Sequence, residues 1–338
     1  MSYKKVVITK YGGPEVLSVV EVSELPIPKK GEVRIKTLAT SACFTDTMIR
    51  KGIYYGVKQK PPFAPGYDVV GMIDELGEGV THLKVGQRVA ELTVTGAYSE
   101  YMCLPASHCV PVPDSVDASE AVSLVLTYLT AYQMLHRIAK VKRGARILVH
   151  GASGAVGTAL IQLGMLHELE IHGTASKSSR NFVASLGATP IDYQEEDFVR
   201  TISALNPKGV DAVFDAVGGA NFKRSFQCLN TGGILVAYGS YNSAIGKESG
   251  GMVSYTTLMI RSAITPGKSA SIYSIVPTKE KHPDWFVYDL KTLLSLLEQG
   301  KIKPVVSQKL KLTDAVQAHQ LLEARGVKGK IVLLANAN

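Results

Sequence analysis

Val149-His150-Gly151-Ala152-Ser153-Gly154-Ala155-Val156-Gly157 is the stretch that decides the fold. Its glycines recur every third residue, G-x-x-G-x-x-G, and Ala152 keeps the loop's second position small. Ahead of it, Arg146-Ile147-Leu148-Val149-His150 is short and apolar, as a buried strand is. Behind it, residues 154–168 set Val156, Ala159, Leu160, Leu163 and Leu166 at helical spacing. Strand, glycine turn and helix in that order make a phosphate cradle. Small residues let the backbone approach a pyrophosphate, and the helix start supplies unpaired N–H groups and a partial positive charge. A tightly packed turn without a ligand would share the glycines; the flanking strand and helix favour the cradle. Its candidate contacts are Ala152, Ser153, Gly154, Ala155, Val156 and Gly157.

The same rhythm continues outward. Residues 170–174 read as a second strand, 178–186 as a helix ended by Gly187, and 211–214 and 234–238 as further strands. Such alternation predicts a doubly wound parallel sheet with helices on its faces. The first 120 residues read differently. Residues 6–8 are apolar, 32–36 alternate, and turn signals recur at Gly12-Gly13-Pro14, Pro61-Pro62, Pro65-Gly66 and Gly77-Glu78-Gly79. That is a β-rich unit, partly an open barrel. Asp117 or Ser119 caps a helix through residues 121–135. Past residue 275 come a helix (284–300), an extended stretch (301–312), another helix (312–322) and a closing strand (330–334). The chain's 338 residues exceed one ordinary core. We therefore expect a nucleotide-binding domain over 124–275, inserted into a second domain built from 1–123 plus 276–338.

Hydrophobic residues at 46% and charged residues at 20% exclude a disordered chain. No apolar run is long enough for a spanning helix, and MSYKKVVITK lacks the apolar core of a secretory signal. Four cysteines (Cys43, Cys103, Cys109, Cys228) form no CxxC pair, which argues against a disulfide framework and fits a reducing cytoplasm. The net charge of +8 favours anionic partners: a phosphate cofactor, nucleic acid or a membrane surface. It is spread in doublets such as Lys4-Lys5 and Lys142-Arg143, as on a solvated surface.

The end of the second strand bears on which dinucleotide is bound. An NAD site places an acid there to hold the ribose hydroxyls. Here the residues are Gly173-Thr174-Ala175-Ser176-Lys177-Ser178-Ser179-Arg180, without an acid. Thr174, Ser176, Lys177 and Arg180 suit a 2′-phosphate, which predicts NADPH. Chance basic residues at a helix start are the alternative.

The chain resembles the medium-chain dehydrogenases/reductases over essentially its whole length. The matching stretches are residues 49–54, Pro65-Gly66-Tyr67-Asp68-Val69-Val70-Gly71, Gly86-Gln87-Arg88-Val89, Leu129-Thr130-Ala131-Tyr132, the glycine loop, Asp215-Ala216-Val217-Gly218 and Gly329-Lys330-Ile331-Val332-Leu333. It is similar to the zinc-free quinone oxidoreductases (the zeta-crystallin branch) and to vesicle amine transport protein-like members. The resemblance implies a Rossmann-type sheet inserted into a β-rich GroES-like catalytic domain. It implies a homodimer, often built by joining the sheets of two cofactor domains. For the cofactor it implies contacts from Thr130, Tyr193, Val217, Gly218, Gly239, Ser240, Ile272, Tyr273 and Ser274.

Zinc-dependent relatives use a Cys, a His in a Gly-His-Glu segment, and a second Cys. Here those positions hold Cys43, Tyr67 and the neighbourhood of Leu126, so we expect no metal. The resemblance then implies hydride delivery to a quinone or an α,β-unsaturated carbonyl. Tyr54, the tyrosine of the branch's Arg-x-Gly-x-Tyr segment, is the candidate catalytic hydrogen-bond donor. Cys43, Tyr55 and Tyr67 are candidate pocket residues; a structural role for Tyr54, with Tyr55 as the donor, is the alternative. Nucleic-acid binding or a membrane-adaptor role would be rival functions. Neither a basic–aromatic platform nor a long basic amphipathic helix supports them, so we expect a small-molecule substrate and neither nucleic acid nor membrane as partner.

Overall fold

The computed structural model describes residues 1–248 and 250–335. Among them the strands are β1 (Tyr3–Ile8), β2 (Leu17–Val22), β3 (Glu32–Ala42), β4 (Val69–Leu76), β5 (Arg88–Glu91), β6 (Tyr101–Pro105), β7 (Val110–Pro111), β8 (Arg146–His150), β9 (Glu170–Ala175), β10 (Thr189–Asp192), β11 (Val210–Asp215), β12 (Leu229–Ala237), β13 (Lys268–Ile272), β14 (Val306–Lys311) and β15 (Lys330–Leu334). The chain is α/β and folds as two units. One holds Met1–Leu129 and everything from Lys279 on; the other is Thr130–Thr278.

In the inserted unit six strands form one parallel sheet in the order β10-β9-β8-β11-β12-β13. Counted from β8 this is 3-2-1-4-5-6, the doubly wound dinucleotide order. Strands β8 and β9 are buried at every position after the first, as a sheet covered on both faces requires. The strand order reverses between β8 and β11, so a ligand crevice is expected at their carboxyl ends.

The glycine-loop helix spans Ala155–Leu166 rather than 154–168. Gly154 is extended (φ −77°, ψ 174°) and serves as N-cap, while Glu168 takes φ +56° and cannot continue the helix. Its buried face is also shifted. Gly157, Ala159, Leu160, Ile161, Leu163 and Gly164 are buried, whereas Val156 is half-buried and Leu166 is 42% exposed. Gly164 sets that face: a Cβ there would stand 2.7 Å from Ile171 Cδ1 on β9. The helix expected at 178–186 divides into a 3₁₀ turn, Lys177–Ser179, and an α-helix, Arg180–Ser185.

In the other unit a seven-stranded sheet runs β14-β15-β3-β4-β5-β7, with β6 also on β3, and β1 pairs β2 separately. Val33 and Ile35 of β3 pack with Val69, Ile73, Val89 and Leu104 to form its core. Asp117 caps the helix Ala118–Ser123 by accepting from Ser119 N and Glu120 N. That helix does not stay regular: π-type turns follow at Leu124–Tyr128 and Gln133–Ile138, around a short α stretch, Leu129–Tyr132.

A buried cation pins the helix Phe44–Arg50 to the helix Ala315–Ala324. Arg50 is wholly buried; it donates to Gly12 O (3.1 Å) and to His319 Nδ1 (3.1 Å), and pairs with Glu323. A guanidinium only donates, so His319 Nδ1 is bare and Nε2–H donates to the Tyr98 hydroxyl at 3.1 Å. Burial, helped by the Arg50 cation, holds His319 at about 3, so it stays neutral.

Candidate functional site

Strand β3 ends at Ala42, and Cys43 caps the helix that follows. The cap is a capping box: the Asp46 backbone N–H faces the Cys43 side chain, and Asp46 Oδ2 accepts from Cys43 N at 2.9 Å and from Cys43 Sγ–H at 3.0 Å. Asp46 is fully buried, and its second oxygen, Oδ1, has no partner among the described residues. Burial pushes this carboxyl up to about 7, although the hydrogen bonds from Cys43 pull the other way. Burial pushes the Cys43 thiol well above its usual range, and the Asp46 charge adds to that. Cys43 is therefore a neutral thiol.

The chain leaves the helix at Gly52 (φ +72°) and reaches Tyr54. A Cβ on Gly56 would stand 2.6 Å from the Tyr54 ring, so that glycine makes the ring's room. Tyr54 and Tyr67 meet hydroxyl to hydroxyl at 2.7 Å, with rings edge to face. Tyr67 is only 1% exposed; burial raises it far beyond the usual tyrosine range, and burial raises Tyr54 too. Both phenols stay protonated at neutral pH. Cys43 and Asp46 lie within electrostatic reach of both. Tyr55 does not join them; its side chain is 91% exposed.

Next to Tyr67, Asp68 is fully buried. It accepts from Ser41 N (3.0 Å) and Ser41 Oγ (2.5 Å) and pairs with Lys330 Nζ at 3.2 Å. Lys330 also donates to Thr127 Oγ1 at 2.9 Å. The sequence reading missed Asp46, Asp68 and Lys330. The spacing Cys43-x-x-Asp46 is a capping-box signal that could have exposed the first; the Asp68–Lys330 pair is purely tertiary.

In the inserted unit the glycine loop, the end of β9 and the end of β11 are tied by one buried hydrogen-bond chain. Gly151 N donates to Thr174 Oγ1 (3.3 Å), which meets His150 Nδ1 (3.0 Å). His150 Nε2 meets Ser225 Oγ (2.9 Å), which donates to Asp215 Oδ2 (2.7 Å). Asp215 Oδ1 accepts from Val217 N (2.7 Å) and Gly218 N (3.2 Å). Taking the Ser225 proton toward the carboxylate fixes every other proton: Nε2 carries one, Nδ1 is bare, and Thr174 donates to it.

Among the other expected contacts, Thr130 is 6% exposed and Ala152 fully buried, while Ser153, Gly154, Ala155 and Val156 are partly exposed. Gly239 packs on Ala216, and Ser240 caps a short helix, Tyr241–Ala244. Ile272 is 49% exposed, but Tyr273 turns inward and donates to Gln133 Oε1 at 2.8 Å; Ser274 O accepts from Thr278.

The corner after β9 holds more charge than its local sequence shows. The stretch after β9 has no acid of its own, yet Lys177 pairs with Glu195 (2.8 Å) and Arg180 with Glu196 (3.6 Å). Both acids follow β10, which lies beside β9, so the local sequence could not show them. Tyr193 reaches the same corner, its N–H on Ala175 O at 3.3 Å and its side chain 57% exposed.

A family model described as zinc-binding dehydrogenase matches residues 186–333, and one described as alcohol dehydrogenase GroES-like domain matches 29–114. Quinone oxidoreductase of Rattus norvegicus is 31% identical over 97% of this chain and 96% of its own length. The chain belongs to the medium-chain dehydrogenases/reductases, in their quinone oxidoreductase branch. Synaptic vesicle membrane protein VAT-1 homolog of Danio rerio is 29% identical, over 98% of this chain and 70% of that protein. The crystal structure of Escherichia coli quinone oxidoreductase complexed with NADPH superposes with a TM-score of 0.87 at 28% identity, covering 98% of this chain and 99% of that one. No helix among the described residues is long and apolar enough to cross a membrane.

Two groups belong to this family's chemistry, and the residues here treat them differently. A catalytic zinc needs about three protein ligands. Cys43 holds its proton against Asp46, Tyr67 is bound to Tyr54, and no three His, Cys, Asp or Glu residues gather among those described. That donor set does not fit zinc. A dinucleotide does fit the quinone oxidoreductase branch's loop in this chain. A Cβ on Gly157 would collide with Gly151 O and stand 2.7 Å from Ala152 Cα, so loop and helix touch backbone to backbone. Beyond Gly151 (φ +67°) a Cβ would meet nothing within 4 Å. No side chain caps the helix start, leaving its first N–H groups for phosphate oxygens.

Proposed function

We propose that this chain is an NADPH-dependent oxidoreductase that reduces quinones or α,β-unsaturated carbonyls without zinc, as a cytoplasmic homodimer. The observation that carries this is the hydroxyl pair of half-buried Tyr54 and buried Tyr67, 2.7 Å apart, with Tyr67 where the resemblance puts a metal ligand of zinc-dependent relatives. The backbone N–H groups at Ala155, Val156 and Gly157 hold the diphosphate. Lys177 and Arg180, with Ser176 and Tyr193, hold the adenosine end; Thr174, buried with its hydroxyl on His150, supports that corner from behind; and Thr130, Val217, Gly218, Gly239, Ser240 and Ile272 to Ser274 border the rest. Bound there, NADPH supplies a hydride.

The chain's own task is the substrate oxygen on which negative charge collects. Tyr67 keeps its proton because it is buried, and donates to Tyr54. The Tyr54 O–H is then directed at the substrate oxygen and stabilises the developing enolate or hydroquinone anion. The Asp68–Lys330–Thr127 cluster fixes the residue that joins Tyr67 to the start of β4. Asp46 orients Cys43 so that the pocket wall there is an uncharged thiol.

NADPH oxidation against a panel of quinones, enones and alkenals, with NADH as control, tests this reading. Turnover on at least one of these classes is expected. The Tyr54→Phe variant should lose about 10²-fold or more in kcat, as loss of a positioned proton donor or oxyanion donor does, with little change in NADPH affinity. No turnover on any class, or unchanged kcat in the variant, would overturn it.

A further inference from the structure

We propose that Glu195 is a specificity-determining residue: it competes with the cofactor's 2′-phosphate for Lys177 and so limits the preference for NADPH over NADH. The proposal rests on the reading that a 2′-phosphate binds at Lys177 and Arg180. The geometry of the corner carries it. Two cations stand there, and each already has a carboxylate: Glu195 on Lys177 at 2.8 Å, Glu196 on Arg180 at 3.6 Å. A third carboxylate, Asp192, is fully buried at the end of β10; its Oδ1 accepts from Gln194 N, and its Oδ2 has no partner among the described residues. With two cations and three carboxylates, the corner carries no net positive charge toward an incoming phosphate. A 2′-phosphate must displace the acid from Lys177 and then sit beside it. An NADH ribose, which is uncharged at that position, does neither.

The two glutamates are not equivalent. Glu196 Oε1 also accepts from Asp192 N at 3.1 Å, so it shapes the turn after β10. Glu195 shows no such second bond among the described residues; it and Lys177 are 56% and 72% exposed. Glu195 is therefore free to leave Lys177 without unfolding the turn. An exposed pair of this kind is worth up to about fivefold in a binding constant, and removing the acid also removes its repulsion of the phosphate, an effect that salt screens.

Isothermal titration of the full chain with NADPH, NADH, 2′,5′-ADP and ADP, at low and high salt, decides the matter without any turnover. Glu195→Gln should tighten NADPH and 2′,5′-ADP by about three- to tenfold at low salt, and leave NADH and ADP within a factor of about two. The gain should shrink at high salt and be clearly smaller in a Lys177→Ala background, where only the removed repulsion remains. If the native protein binds 2′,5′-ADP no better than ADP, both the phosphate-site reading and this proposal fall. If it prefers 2′,5′-ADP but Glu195→Gln changes nothing, or tightens all four ligands equally, the proposal alone falls. Persistence of the full gain in the Lys177→Ala background would also overturn it, because competition for Lys177 would not be the cause.

Discussion

Asp46 shows how one residue's environment sets its chemistry. Burial pushes its carboxyl from the ordinary value near 4 up to about 7. Between those values the folded chain holds a proton that the unfolded chain has released. The resulting stability is fully present below about pH 4 and is lost as pH rises through 7. Asn cannot titrate, so the Asp46→Asn variant lacks this slope. Urea midpoints of native and variant proteins, taken from pH 4 to 8, should therefore diverge in the variant's favour as pH rises. A constant offset across that range would mean that Asp46 stays charged, and that Cys43 faces an anion at neutral pH.

At the scale of elements, strands and helices were legible wherever a local pattern decided them. The apolar run before Gly151 is β8, the last five-residue run is β15, and Asp117 is a cap as its type and place suggest. Misjudged features depend on neighbours. The glycine-loop helix turned its buried face toward Gly164 because close approach to Ile171 outweighs the stripe that Val156 and Leu166 seemed to continue. The site divided in the same way. Motif position singles out Tyr54 and Tyr67 as candidates, but their mutual hydrogen bond, the buried Lys330 beside Asp68, and the acids opposite Lys177 arise only when distant segments meet. The glycine loop tests this contrast within one element. Gly157→Ala drives a methyl group into loop backbone, which cannot move aside as a side-chain tip can. It should cost about 1–3 kcal/mol in urea unfolding and weaken NADPH binding measured by titration. Gly154→Ala, whose Cβ would stand 3.3 Å from Gly151 O, should cost less. Equal effects would show that the contact at Gly157 is not the tight one.

For the whole molecule, the inserted unit leaves two features unsatisfied. Strand β13 pairs with β12 on one side and ends the sheet; on its other side Ala270 N donates to Ser262 Oγ of the neighbouring helix at 2.8 Å, so that edge is met in part. Beside it, the helix Gly251–Ile264 buries Leu258 and packs Tyr255 against Phe222. Its outer face shows Val253 (68% exposed), Ile260 (57%) and Ile264 (73%). Those three are seven and eleven residues apart, within about 20° of one line along a helix at 3.6 residues per turn. An apolar stripe next to the last strand of a sheet is what a second copy related by a twofold axis would cover, since such an interface joins the same patch from each protomer. The proposed homodimer therefore has an address. Sedimentation velocity should find the native chain as a dimer at micromolar concentration. The Val253→Glu/Ile260→Glu double variant should sediment as a monomer with unchanged circular dichroism, because each interface would then bury four unpaired carboxylates, two from each protomer. A native monomer, or a double variant that remains dimeric, would place the subunit contact elsewhere or remove it, and would leave β13 an edge protected by its shortness and by the Ser262 hydroxyl on Ala270 N.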